Sequence, residues 1–255
     1  MVRKVLTVSV CVLIIASARE ASAQAIKQWI DRGYANVNIG FESSSDTLAD
    51  STTFVVYDDT GAKSVSAEVD SGSLFDFSVG ARVWRNASVG IGFHVGSVSN
   101  EGSATISVPS PIAFTLPSRT ATVPVSDLER RERAFHIQFG YMLPINEKLD
   151  VHILGGPSFF RLTQDVISDV TFTEVGSPFT AVNASAVIAE RKRSVTGGHI
   201  GADVTYKLHD TNGVAVGVGG FVRYAGAKAD VQVINANVDT DVGGVQVGFG
   251  LRVRF

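Results

Sequence analysis

The chain has 255 residues, a formal net charge of −3 at pH 7 and one cysteine. A charge this small excludes a protein that binds nucleic acid through a strongly basic surface, and a single cysteine excludes a fold held together by several disulfides. The length suits one domain, and a single all-β barrel of this size is common.

Residues 1–23 are predicted to form a secretory signal peptide. Arg3 and Lys4 provide a basic start, an apolar run extends from Val5 to Ala16, and Ala21-Ser22-Ala23 has the small residues of a cleavage site. The apolar run is shorter than the roughly 20 residues that a membrane-spanning helix needs. We therefore expect a secreted domain of residues 24–255, without cysteine because Cys11 lies in the signal peptide.

Eight stretches after the signal peptide alternate apolar and polar residues with the period of two that is typical of a β-strand. They are Tyr34–Glu42, Leu74–Arg85, Ala87–Ser97, Arg133–Leu143, Asp150–Leu162, Thr196–Leu208, Val214–Tyr224 and Val245–Phe255. In the fifth stretch apolar residues occupy both parities. There we expect Leu154, Phe160 and Leu162 to face outward, which would turn Arg161 inward.

The connections between these stretches alternate in length. Tight turns are expected at Arg85–Ala87, Pro144–Leu149 and His209–Gly213, whereas residues 43–73, 98–127, 164–190 and 227–239 form longer, polar connections. Short turns at one end and long loops at the other are typical of an up-and-down antiparallel barrel. The sequence therefore predicts an all-β fold, an eight-stranded antiparallel up-and-down barrel.

The two parities indicate which face of the barrel meets lipid. One is rich in Val, Ile and Phe, with Tyr near strand ends, as on the lipid face of a transmembrane barrel. The other carries charges that we expect to form a lumen network: Asp76, Arg82, Asp203, Arg223 and Arg252. Because buried charges need partners and eight strands enclose little more than side chains, this network should plug the lumen, which argues against a general porin. An ion pathway through the lumen is the alternative. A soluble, lipocalin-like ligand-binding barrel is an alternative, since alternation alone fits both.

The signal peptide, the eight strands and the terminal sequence FGLRVRF resemble a Gram-negative outer-membrane β-barrel of the outer-membrane protein A transmembrane-domain type. In that family the barrel-assembly machinery reads a last strand that ends in Phe. The residues that match this assembly signal are Phe249, Leu251, Val253 and Phe255. The chain departs from full-length members by stopping at Phe255, so neither a periplasmic peptidoglycan-binding domain nor cell-wall anchoring is expected.

A barrel enzyme that modifies lipid A is a further alternative. Such chemistry needs a histidine beside a serine, with an acid to orient it. The histidines cannot be assembled into a triad from their spacing, and the sequence offers no clustered metal ligands; they are His94, His136, His152, His199 and His209. We therefore expect no enzyme activity, no cofactor and no metal.

A basic cluster is predicted where the fourth, fifth and sixth strands reach the long-loop end. By parity Arg131, Arg133 and Lys192 face outward there. Arginine binds phosphate in a fork geometry, so these residues are candidates for contact with lipopolysaccharide, although a solvated cationic rim would look the same. The expected function is a structural or surface-interaction role through long extracellular loops. Their external partner is not indicated by the sequence.

Overall fold

The computed structural model describes residues 28–44, 46–112, 116–211 and 213–255. The predicted signal peptide, residues 1–23, lies outside the described residues. The described ranges contain no helix that is long and apolar enough to cross a membrane.

Ten antiparallel β-strands make up the described structure. They are β1 Gly33–Ser43, β2 Asp46–Val56, β3 Asp59–Val69, β4 Gly72–Trp84, β5 Ala87–Val108, β6 Arg119–Pro144, β7 Leu149–Glu174, β8 Val182–Thr211, β9 Val214–Gln232 and β10 Asn237–Arg254.

Eight of these strands close into a barrel in the order β1-β4-β5-β6-β7-β8-β9-β10. The ring closes between β1 and β10, where Tyr34 pairs with Arg254 and Ser43 pairs with Val245. Closure leaves no free edge in the barrel wall, which a sheet in lipid requires because lipid offers no hydrogen-bond partners. The predicted eight-stranded antiparallel barrel is confirmed, with one strand for each alternating stretch.

The period-two alternation places apolar side chains outside and polar side chains inside. Phe41 is 68% exposed and Ile200 is 64% exposed on the outer wall, whereas Asn36, His94 and Gln246 are buried in the lumen. A water-soluble barrel has the opposite arrangement, because it hides its apolar face from water. The soluble lipocalin-like alternative is therefore wrong, and the wall is that of a transmembrane barrel.

The long connections are not the polar loops that the sequence predicted. Residues 43–73 contain the β2–β3 hairpin, and β5 to β10 continue well past the barrel as hairpins. We call this added part, residues 46–69, 98–129, 165–197 and 227–244, the crown. The sequence of its strands looks polar because the outward residues are mostly Ser and Thr. The residues that alternate with them, such as Ala104, Ile106 and Val108, are fully buried.

The crown has an apolar core of its own. The core gathers residues from β3, β5, β6, β7 and β8 and the β9–β10 turn: Val65, Ala67, Ala104, Ile106, Val108, Val125, Leu128, Ile167, Val170, Val182 and Val233. A second apolar cluster lies at the border between crown and barrel: Leu48, Val69, Ala134, Phe160, Leu162, Val166, Ala225, Ala229, Val231 and Val242. The interior thus changes from polar to apolar towards the crown.

This change explains why the expected orientation of β7 was wrong. Leu154, Phe160 and Leu162 are buried inside, and Arg161 lies exposed on the outer wall. Phe160 and Leu162 belong to the border cluster, where the interior is apolar. The rule that inward residues of a membrane barrel are polar therefore fails for this part of β7.

Candidate functional site: the lumen and the outer basic cluster

Two buried ion pairs hold the centre of the lumen. Arg223 Nη2 lies 2.7 Å from Asp76 Oδ2, and Arg252 Nη2 lies 2.6 Å from Asp203 Oδ2. Neutral neighbours complete the hydrogen bonding, since Asn38 donates to Asp76 at 2.8 Å and Arg223 donates to Gln246 at 2.6 Å. Four of the five predicted lumen charges are thus brought together as pairs.

The fifth predicted residue, Arg82, departs from this network. Its side chain is only half-buried and donates a hydrogen bond to the backbone carbonyl of Trp29. Arg82 lies near the turn into β5, where the chain before β1 covers the barrel end, so its nearest acceptor is a carbonyl. Correct parity did not ensure an acidic partner, because the depth of a residue along the strand decides what it can reach.

The short-turn end of the lumen holds ionic residues that the predicted network omitted. Lys207 Nζ lies 3.2 Å from both Asp31 and Asp150. Above them Arg254 donates to Asn36 Oδ1 at 2.8 Å. Trp29, nearly fully buried, packs in this end with Tyr34 and Met142. The inward parity of Arg254 could have identified it. Asp150 shares the parity of Leu154 on β7, which the sequence had placed outward, and the contribution of Asp31 depends on a segment that precedes the barrel.

The crown end of the lumen closes around Arg130. Its guanidinium lies 2.5 Å from Glu132 and donates to Gln164 at 3.0 Å and to Thr240 at 3.2 Å. Glu132 also accepts the backbone N–H of Gly243 at 2.8 Å. Residues of the border cluster lie at the level of this group and below it, since Leu162 pairs with Glu132 and Phe160 pairs with Ala134 in the strand register, and the crown core lies beyond. Ion pairs and apolar side chains therefore fill this end of the interior together.

A chain of histidine and serine side chains crosses the lumen. His94 Nδ1 lies 2.9 Å from His136 Nε2, His136 Nδ1 lies 2.7 Å from Ser158 Oγ, and Ser158 Oγ lies 2.9 Å from His199 Nδ1. Spacing alone could not find this arrangement, which places a serine beside two possible bases. Ser158 is 0% exposed, however, so no substrate reaches its oxygen in this conformation. Among the described residues no group of three His, Cys, Asp or Glu could hold a metal ion.

The predicted basic residues meet on the outer wall where the barrel joins the crown. Arg131, Arg133, Arg161 and Lys192 line a shallow depression of about 290 Å³ with Thr163 and Glu190. The strand registers place Arg133 opposite Arg161 and Thr163 opposite Lys192. Arg161 is the unexpected member, because the sequence had placed it inside.

The ion pairs of this basic cluster are exposed. Arg131 lies 2.5 Å from Glu129 and Lys192 lies 2.6 Å from Glu190, and all four side chains are more than half exposed. Pairs of this kind contribute little to stability, so the cations remain available to another anion. Among the described residues, Arg133 and Arg161 form no salt bridge at all.

The C-terminal strand faces outward as its alternation predicts. Phe249, Leu251 and Phe255 are exposed, and Val253 is half-buried. The Phe255 carbonyl accepts the backbone N–H of Gly33 at 2.7 Å, which joins the last residue to β1. The apolar side chains of this strand thus form a continuous outward row at the point of barrel closure.

A comparison with protein families agrees with this architecture. The family model described as outer membrane protein beta-barrel domain matches residues 8–255. No curated protein matches the chain. Similar solved structures include Neisserial surface protein A, at 12% identity and a TM-score of 0.43, covering 88% of this chain and 97% of that one.

Two further structures are similar at the same low level. The outer membrane protein OprG from Pseudomonas aeruginosa has 11% identity and a TM-score of 0.42, with 88% of this chain and 97% of that one covered. Ail, the attachment invasion locus protein of Yersinia pestis, solved in complex with the heparin analogue sucrose octasulfate, has 12% identity and a TM-score of 0.36, with 87% and 99% covered.

Proposed function

The chain belongs to the outer membrane protein β-barrel domain family, and on this premise we propose that it is a non-enzymatic surface protein that presents a rigid crown outside a Gram-negative cell. The observation that carries the proposal is the crown's own apolar core on top of a filled lumen. A barrel that served as a pore would need an open path, whereas this one is built as a closed support for an external structure.

The tip of the crown is held together by one buried arginine. Arg119 donates to Glu174 Oε1 at 2.9 Å and to the Pro109 carbonyl at 2.6 Å, and Tyr57 donates to the same carboxylate at 2.8 Å. The hydrogen bonds from Arg119 keep the pKa of Glu174 below its usual value. Three hairpins are thereby fixed to one another, which limits the entropy that the crown would lose on binding a partner.

The fixed tip also exposes apolar side chains. Val55, near the end of β2, is 77% exposed, and Ile112 and Leu116 are exposed in the β5–β6 connection. Apolar side chains on a rigid external surface favour docking of another protein. This supports a surface-interaction role.

The filled lumen is the second part of the proposal and is tested by conductance. Reconstituted protein should give no steady ion current in planar bilayers, because ion pairs and the border cluster fill the barrel interior. The double variant Arg223→Ala with Asp76→Ala removes one pair while leaving Arg252–Asp203 and the border cluster, and it should also stay closed. A stable conducting level in the wild type would contradict the plugged lumen.

The basic cluster is the third part, and we assign it to the phosphates of lipopolysaccharide. Arg131, Arg133, Arg161 and Lys192 lie on the wall at the crown end, where the head groups of the outer leaflet would meet them. Basic side chains at a membrane surface attract anionic head groups, and Arg can hold a phosphate with two parallel hydrogen bonds.

The test replaces all four residues with Ala and measures co-purifying lipopolysaccharide over a salt series. Binding should fall and should become less sensitive to salt, because charge attraction is screened by ions. The matched control is Arg85→Ala with Lys148→Ala, two exposed cations at the short-turn end. Equal binding by the four-residue variant and the wild type would reject the site and leave a solvated cationic rim.

A lipid A-modifying enzyme is the competing function, favoured only by the His136–Ser158–His199 chain. Mass spectrometry of lipid A from cells that express the wild type or Ser158→Ala distinguishes the two. Our proposal expects identical lipid A from both. A modification that depends on Ser158 would establish the enzyme instead.

A further inference from the structure

An apolar groove of about 770 Å³ runs across the outer wall at β8, β9, β10 and β1. The side chains around it include Val204, Tyr206, Phe249, Leu251, Val37 and Ile39. All of them belong to the parity that faces lipid. The basic cluster and the crown play no part in this wall, so the groove calls for a separate explanation.

One outward position within the groove, on β9, has no side chain. Gly220 lies between Val204 of β8 and Phe249 of β10 in the strand registers. A Cβ added to Gly220 would have one neighbour within 4 Å, the Gly248 carbonyl oxygen at 3.2 Å. We call this vacant outward position the notch.

The glycines beside the notch are there for a different reason, which is packing inside the barrel. Gly219 and Gly217 face inward, and a Cβ there would lie 2.2 Å from the carbonyl oxygens of Val204 and Tyr206. The packing of the barrel therefore requires glycine at those positions. At Gly220 a Cβ would meet only the Gly248 carbonyl oxygen, at 3.2 Å, a tight contact that a shift of a few tenths of an ångström relieves. The interior therefore constrains Gly220 much less than it constrains Gly217 and Gly219.

A protruding ring lies directly beside the notch. Phe249 is 65% exposed and is the register partner of Gly220. Rotation of a second copy by 180° about the membrane normal would bring its Phe249 opposite this notch, and the reverse contact would form at the same time. Two copies in one membrane share their orientation, so this is the two-fold axis that the membrane permits.

We propose that this wall is the interface between two copies of the chain, with each Phe249 ring seated in the Gly220 notch of the other. Lipid chains are as apolar as this wall, so no hydrophobic effect drives two copies together in the membrane. Association depends instead on close packing at small residues. This wall carries a notch beside a protruding ring, so the same wall of a second copy can pack closely against it. The proposal is independent of the surface role and of the lipopolysaccharide site.

The test uses cross-linking of purified protein refolded in phosphatidylcholine vesicles. The only cysteine, Cys11, lies in the predicted signal peptide, so Val218→Cys places a single thiol next to the notch on the same strand. Mild oxidation should produce a disulfide-linked dimer whose yield rises with the protein-to-lipid ratio.

Two variants in the Val218→Cys background decide the interpretation. Gly220→Leu fills the notch and should weaken dimerisation about tenfold, as expected if overpacking the contact costs about 1.4 kcal/mol. Gly198→Leu is the matched control, an outward glycine outside the groove with only the Gly156 carbonyl oxygen within 4 Å of its Cβ, at 3.5 Å. It should dimerise like the parent.

A heat-dependent gel shift establishes that each variant is folded before cross-linking. Equal dimer yields for Gly220→Leu and Gly198→Leu would overturn the proposal, as would a yield that does not vary with protein density. Native mass spectrometry distinguishes a second copy from a bound lipid in the groove. A monomer that retains one phospholipid, and loses it in Gly220→Leu, would assign the groove to an acyl chain and reject the second copy.

Discussion

Arg223 on β9 reaches Asp76 on β4 across the lumen, and both side chains are 4% exposed. In the ring, β10 and β1 separate the two strands. This ion pair therefore connects distant parts of the wall through the interior, and the surrounding hydrogen bonds from Asn38 and to Gln246 fix its geometry.

Removing one partner of this pair should be strongly destabilising. Arg223→Ala would leave the Asp76 carboxylate buried without its cation, at a cost of about 3–5 kcal/mol in the free energy of unfolding. Denaturant unfolding of refolded protein, followed by tryptophan fluorescence, measures this change. The double variant Arg223→Ala with Asp76→Ala should recover part of the loss, and Lys148→Ala, in an exposed turn, should match the wild type. A wild-type midpoint for Arg223→Ala would mean that the pair contributes nothing.

Arg252 and Arg82 should differ, although the sequence placed both in one network. Arg252 is fully buried against Asp203, whereas Arg82 is half-buried and donates to a backbone carbonyl. Arg252→Ala should therefore lower the unfolding midpoint much more than Arg82→Ala, because only Arg252→Ala takes a directly bonded cation from a buried carboxylate and leaves Asp203 with Arg254 at 3.8 Å. The same unfolding assay measures both variants, and similar losses would show that Arg82 does act with the lumen charges.

The crown should lose stability independently of the barrel. Ile106 is fully buried in the crown core, so Ile106→Ala should cost the crown about 2–5 kcal/mol through the lost contacts and the resulting cavity. Limited trypsin digestion should cut the crown faster while a barrel fragment persists. Thr122→Ala on the exposed face of β6 is the control. Simultaneous unfolding of the barrel in Ile106→Ala would argue for one cooperative unit.

Asp50 should make the attachment of β2 to the β9–β10 turn sensitive to acid. Its carboxylate accepts the backbone N–H groups of Ile234, Asn235 and Ala236 at 3.0–3.1 Å. Partial desolvation alone would raise the pKa of Asp50, but these bonds outweigh it and lower the pKa below the usual value. A lowered carboxyl pKa contributes stability above the unfolded value of about 3.9, and that stability is lost as pH falls through the folded pKa.

Hydrogen exchange across a pH series measures this effect. At pH 6 the amides of the β9–β10 turn should exchange faster in Asp50→Ala than in the wild type. The difference should disappear once Asp50 is protonated in the folded wild type. An exchange difference that is constant down to the lowest pH would contradict a role for the carboxylate charge.

Phe255 should matter for assembly in the cell more than for the folded state. Its side chain is exposed at the short-turn end, so Phe255→Ala removes few folded contacts, while the backbone bond from Gly33 to the Phe255 carbonyl is kept. We expect a lower level in the outer membrane and normal refolding in detergent. Phe41→Ala, an equally outward ring on β1, is the control for general loss of apolar surface. Unchanged outer-membrane levels of Phe255→Ala would reject the assembly signal.

The period of two in the sequence was sufficient to predict the eight strands and their faces. A slip of one residue would exchange the lipid-facing and lumen-facing side chains, so alternation strongly constrains each strand. Phe249 outward and Arg252 inward follow directly from this constraint. The alternation could not predict the crown, because Ser and Thr on the outer face of β5 and β6 made buried residues such as Ile106 look like members of a polar loop.

Tertiary structure alone decided what each inward residue meets. Parity places Arg82 and Arg252 on the same face, but their depth in the barrel gives one a backbone carbonyl and the other the carboxylate of Asp203. Depth also decided β7, where Phe160 lies inside because the interior is already apolar at that level. Alternation carries no information about depth, because the position of a residue along the barrel axis is set by strand register and closure, which bring together residues far apart in the chain.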